Sequence, residues 1–128
     1  MTQELLQNIT MTPVAANVIN KNRFVSVVAD GEVDETLSGI DAIGVSQEAS
    51  AAASAVPIPV AILNGGKIDV EAGAVVTVGA RVMSDATGRA ITAVGATART
   101  LGWALNTTGA AGEMITVLAS KAAGEFVA

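Results

Sequence analysis

Hydrophobic and polar positions alternate along this chain in short runs, cut by glycine, proline, asparagine or aspartate about every ten residues, the spacing of an all-β protein. Arg23–Ala29 (RFVSVVA) reads as a strand closed by the turn dipeptide Asp30-Gly31. Ile40–Gln47 follows, with Ile43 and Val45 on one face and the small Gly44 and Ser46 on the other. Pro57–Leu63 alternates on Ile58, Val60 and Ile62, and its two prolines, which lack ladder donors, place it at a sheet edge. Asn64-Gly65-Gly66 is a hairpin signal, and Lys67–Val70 returns from it. Val75–Val78, Arg81–Ser84 and Arg89–Val94 are further strands, the last two joined by the turn Asp85-Ala86-Thr87-Gly88. In Leu101–Leu105 the large Leu101, Trp103 and Leu105 share one face, read as the core side, and Gly102 and Ala104 share the other. Glu113–Ala119 (EMITVLA) is apolar on both faces, which predicts a central, buried strand. Ala49–Ala55 is too short for an independent helix, and no long helical pattern occurs. The fold class is therefore all-β: a small barrel or sandwich of short strands.

The first 22 residues differ from the rest: they hold no glycine and only two charges, Glu4 and Lys21. Pro13 and its β-branched neighbours suit an extended arm, although Thr12-Pro13 also fits a helix start. The expected organisation is an N-terminal arm over 1–22, a β domain over 23–120 and a C-terminal tail over 121–128. The β domain also hints at two similar halves. A shift of 58 positions lays Arg23-Phe24-Val25-Ser26 on Arg81-Val82-Met83-Ser84 and Ile43-Gly44-Val45 on Leu101-Gly102-Trp103; after a one-residue gap, Val60 meets Val117.

Composition narrows the chemistry. The sequence has no His, Cys or Tyr, so disulfides, thiolate nucleophiles and His- or Cys-ligated metals are excluded, and no cofactor is expected. No Ser-x-x-Lys, phosphate-loop, Rossmann or nucleophile-elbow motif occurs. Aromatics are 2% of the residues, too few for the stacking platforms of a sugar-binding site. The acidic stretch Asp30, Glu32, Asp34, Glu35, Asp41 lacks the calcium-loop spacing and reads as a solvated loop. A net charge of −5 with scattered basic residues argues against nucleic acid, and the longest uncharged run is broken by Pro57, Pro59 and a Gly pair, so no membrane span is expected. No enzyme is expected. What remains is a module that binds protein surfaces.

The runs Gly79-Ala-Arg-Val-Met-Ser-Asp-Ala-Thr-Gly-Arg-Ala90, Leu101-Gly-Trp-Ala-Leu105 and Ala110-Ala-Gly-Glu-Met-Ile-Thr-Val-Leu118, with Ile43-Gly44-Val45 upstream, resemble tailed-phage head decoration (capsid cement) proteins over about Arg23–Ser120. The resemblance implies a barrel-like protein, a homotrimer on the capsid, whose partner is the major capsid protein on the outer surface of the virion. It implies a structural role, stabilising contacts between capsid subunits; a self-assembling domain of a phage tail or fibre is the alternative. Candidate capsid contacts are the apolar arm residues Leu5, Leu6, Ile9, Met11, Pro13 and Val14, with Trp103 as an interface or core anchor.

Overall fold

Ten short strands account for the alternation seen in the sequence, and a computed structural model describes them through residues 8–14, 17–50, 56–63, 65–95 and 98–119. They are β1 (Asn8–Pro13), β2 (Phe24–Ala29), β3 (Glu32–Glu35), β4 (Gly44–Ser46), β5 (Ile58–Ile62), β6 (Lys67–Glu71), β7 (Arg81–Ser84), β8 (Ala90–Thr92), β9 (Gly102–Ala104) and β10 (Met114–Ala119). The first five close into a barrel in the order β1-β3-β2-β4-β5, and the last five form a sheet in the order β6-β10-β9-β7-β8. The fold is all-β, with no helix among the described residues.

Several elements differ from the sequence expectation. Residues 8–13 of the expected arm are extended, but they pair antiparallel with β5 and parallel with β3 and so complete the chain's own barrel. The acidic stretch contains a strand, β3, because one residue suffices: Val33 points inward and is fully buried, while the half-buried Asp34 and Glu35 accept hydrogen bonds from Asn17 and Asn20. β5 is not an edge strand. The carbonyl of Pro59 accepts the N–H of Gln47 on the β4 side, so its missing donor faces the same way, beyond the last residue of β4. Val75–Val78 makes only a single bridge, Val76 to Thr108, and leaves Val75 and Val78 exposed. β10 is central, between β6 and β9, but only Ile115, Val117 and Ala119 are buried; Met114, Thr116 and Leu118 form its outer face.

The two halves are one design used twice. Pairing in the first half (β3-β2-β4-β5-β1) is repeated by β8-β7-β9-β10-β6 in the second. The parallel Pro13–Val33 pair that closes the first barrel has its counterpart in the single parallel bridge Ala72–Ala90. Register agrees residue by residue: Val25 faces Glu35 and Gly44 as Val82 faces Thr92 and Gly102, and Ser46 faces Val60 as Ala104 faces Val117. The strand match therefore sets Val25 on Val82, one residue away from the Arg23–Arg81 alignment suggested by the letters, whereas Gly44–Gly102 and Val60–Val117 coincide with it. Even the backbone exception is duplicated. Asn22, the one described non-glycine with positive φ (62°), occupies the place of Gly79 (φ 87°), and each donates its N–H to the equivalent carbonyl, Ser46 or Ala104.

Burial follows the same duplication. The interior of the first barrel holds Ile19, Val25, Val33, Ile58 and Val60, with Met11 and Ile43 packed against them. Their counterparts Val76, Val82, Ala90, Ile115, Val117, Val70 and Leu101 form the core of the second sheet, but there the cluster also takes in Phe24, Val45 and Ala61 from the outer face of the barrel. The barrel thus packs its outside against the second sheet. At this seam Phe24 donates its N–H to the Gly88 carbonyl at 2.7 Å, and Arg23 donates to the Thr87 carbonyl at 3.0 Å.

Candidate interaction surface

The residues singled out from the sequence separate into three groups. Leu5 and Leu6 lie outside the described residues. Met11 is half-buried against the first barrel's interior, Pro13 is buried, and Val14 is half-buried with its N–H bonded to the Val33 carbonyl at 2.8 Å. Ile9, at the start of β1, is 41% exposed and available to a partner. Trp103 lies in the middle of β9 but on its outer face, between Arg81 on β7 and Leu118 on β10, and is half-buried. The expected core face is thus divided: Leu101, just before the strand, is fully buried in the core, while Trp103 faces outward and Leu105 is exposed. Gly102 and Ala104 point inward because β10 runs so close that a Cβ on Gly102 would overlap the Leu118 carbonyl and Val117 Cγ1.

Exposed apolar side chains missed by the sequence reading cluster elsewhere. Val27 and Val28 project near the β2–β3 turn, where a bulge interrupts the register. The failure of alternation at the end of RFVSVVA is the signal that could have found them. Leu37, Ile40 and Val94 are also exposed, and Ile40 and Val94 border a groove of about 350 Å³ floored by Met83 and Ala98.

Charge concentrates at the seam between halves. Arg23 reaches Glu35 at 3.6 Å and Glu71 at 3.3 Å, and Arg89 reaches Glu71 at 3.7 Å and Asp85 at 3.1 Å. A cleft of about 470 Å³ opens beside this seam, lined by Lys21, Asn22, Gln47, Lys67, Asp69 and Thr116 among others. Asp69 is engaged by the Thr116 hydroxyl at 2.9 Å. Among the described residues no three potential ligands converge to hold a metal ion.

Asp85 ties the β7–β8 turn together. Burial alone would raise its carboxyl, but the N–H groups of Thr87 and Arg89, the Thr87 hydroxyl and the Arg89 charge outweigh that and hold it below the ordinary value of 3.8. A carboxyl depressed in the folded state contributes stability above its unfolded value and loses it as pH falls through the lower folded value. Asp85→Asn is expected to cost about 1 kcal/mol at neutral pH, as loss of a charge-assisted hydrogen-bond set does. The difference from wild type should persist down to about pH 4 and shrink below it, as measured by urea unfolding across pH.

Comparison with known proteins places this surface in context. A family model described as phage cement protein matches residues 3–120. Among solved structures, the crystal structure of the head fiber gp8.5 N base in bacteriophage phi29 is similar, with a TM-score of 0.73 and 15% identity over 95% of this chain and 100% of that one, a likeness of fold. No curated protein sequence matches the chain significantly.

Proposed function

The chain belongs to the phage cement protein family, which makes it a structural decoration protein of the virion capsid, and from that premise we propose how it works. It binds the major capsid protein on the outer surface of the head as a homotrimer and cements neighbouring subunits together, without catalysis and without contact to nucleic acid or membrane. The observation that carries the reading is the family match across residues 3–120. The exposed apolar residues support it, since a rigid surface clamp needs contact area rather than a site for chemistry. The negative net charge supports a protein partner over nucleic acid.

Of the capsid-facing candidates, Ile9 is exposed, and Leu5 and Leu6, ahead of it, lie outside the described residues. Trimming the whole first 20 residues would not test them, because it removes β1 and the fully buried Ile19 and so opens the barrel. Leu5→Ser with Leu6→Ser leaves every barrel strand in place. Sedimentation with undecorated heads should show wild-type protein in the pellet and about tenfold weaker retention of the double variant, the equivalent of about 1.4 kcal/mol of lost apolar contact. Wild-type protein left in the supernatant would defeat the cement reading for that capsid, and undiminished retention of the variant would remove Leu5 and Leu6 from the contact.

A further inference from the structure

Duplication leaves two surfaces uncovered, and each is the counterpart of a surface that the chain already covers internally. In the first half, Phe24, Val45 and Ala61 lie in one row across β2, β4 and β5, facing away from their own barrel, and all three are fully buried at the seam. The equivalent row in the second half is Arg81, Trp103 and Leu118, where Arg81 is exposed and the other two are half-buried. No part of the chain described here does for that row what the second half does for the first.

The other side of the seam shows the reciprocal pattern. The first half's outer row meets the second sheet near the start of β6 and the turn from β7 into β8, and there Ile68 is 4% exposed and Ser84 is fully buried. β1 and β3 run parallel, so the start of β1 and the β2–β3 turn share the corresponding end of the first barrel. There the counterparts Ile9 and Val27 are 41% and 52% exposed, and a Cβ at Gly31 would meet nothing within 4 Å, whereas one at its counterpart Gly88 would press on the Phe24 carbonyl. The seam is heterologous, made of a row on one half and an end on the other. A contact of that kind leaves a free row and a free end, which can join copy to copy.

We propose that a second copy of this chain occupies these surfaces, the Arg81–Trp103–Leu118 row of one molecule capping the Ile9–Val27 end of the next as the first half caps the second. Chemistry agrees with the geometry. Superposing the internal contact brings Arg81, the counterpart of Phe24, beside the Asp30-Gly31 turn, the counterpart of Thr87-Gly88, so opposite charges meet at the rim. The row supplies a tryptophan at its centre, the residue type most often dominant in protein interfaces. Repetition of one heterologous contact closes a ring if its rotation allows, which is how the proposed homotrimer is built. The inference deepens the homo-oligomer part of the proposed function and rests on it.

The sequence contains no cysteine, so a disulfide can report the contact without background. Arg81→Cys and Asp30→Cys are mixed at high concentration under oxidising conditions, with Arg81→Cys plus Glu113→Cys as a control pair. Groups held in contact reach effective concentrations in the mM range, so the first mixture should link at least about tenfold faster than the control, and a chain carrying both substitutions should give a ladder of head-to-tail species. Linking no faster than the control pair would overturn the proposal. If that occurs while wild-type protein still sediments with heads, the self-contact is wrong and the decoration role stands.

Discussion

Gly102→Val is expected to prevent the chain from folding, and Gly102→Ala to lower its stability by about 3 kcal/mol or more, the upper range for forcing atoms into a packed interior. A Cβ at this position would lie against the Leu118 carbonyl and 2.7 Å from Val117 Cγ1. The obstacle is backbone of the neighbouring strand, which cannot shift without breaking the β9–β10 ladder, and a methyl of a fully buried valine with packed neighbours on every side. Gly44 is its twin: a Cβ there would overlap the Ala61 carbonyl and come within 2.6 Å of Val60 Cγ1. The same pair of substitutions at Gly44 should therefore show the same order of damage, measured as thermal unfolding of Gly44→Ala and Gly102→Ala. An alanine at both sites with unfolding midpoints unchanged would mean that the strands are not held this closely.

Phe24→Ala is expected to cost about 3–5 kcal/mol, the range for deleting a buried aromatic side chain. Phe24 is the largest fully buried side chain among the described residues, and it belongs to the cluster that joins the two halves rather than to the interior of its own barrel. Its loss should therefore weaken the seam first. Denaturant unfolding of the variant should show a lower midpoint, and a lower slope as well if the halves come apart before they unfold, because a slope tracks the surface exposed in one step. By contrast Val25→Ala, within the first barrel, should lower the midpoint with an unchanged slope. Equal slopes for the two variants would show that the halves unfold only as a unit.

Much of this architecture was legible in the letters, and the failures have physical causes. Turn glycines and alternating valines placed eight of the ten strands in or near their positions, because hairpins are local. β1 was hidden because its partners, β3 and β5, are remote in sequence, and nothing in NITMTP shows which edge it will close. β3 was hidden because a strand of four residues needs just one inward side chain, here Val33, and its acids dominate the composition. The Gly44–Gly102 correspondence was readable since the spacing demands of close backbone approach leave few residues to choose from. The Arg23–Arg81 alignment was one residue off because Arg23 precedes β2 and Arg81 opens β7 facing away from the core, so no shared core position fixes either residue.

Trp103 illustrates the limit for a surface. Large residues on one strand face and small ones on the other usually mean core and solvent respectively, but β10 approaches Gly102 too closely for any side chain there, so Gly102 and Ala104 take the inner face and Trp103 turns outward, while Leu101, just before the strand, stays in the core. What the outer face binds is then a question of assembly rather than of folding. The candidate contacts at Met11 and Pro13 likewise could not be separated from Ile9 by hydrophobicity alone, because all three share one face of β1 and only position along the strand, with burial rising towards Pro13, leaves Ile9 exposed.

Cementing is tested most directly by heating phage heads with and without saturating protein and following the release of their packaged contents by dye fluorescence. A decoration protein that bridges capsid subunits binds the intact shell and not the dispersed one, so mass action should raise the rupture temperature as occupancy rises. Decorated heads that rupture later, in proportion to bound protein, are the expected result. Heads that carry the protein at full occupancy and rupture at the same temperature as bare heads would contradict it.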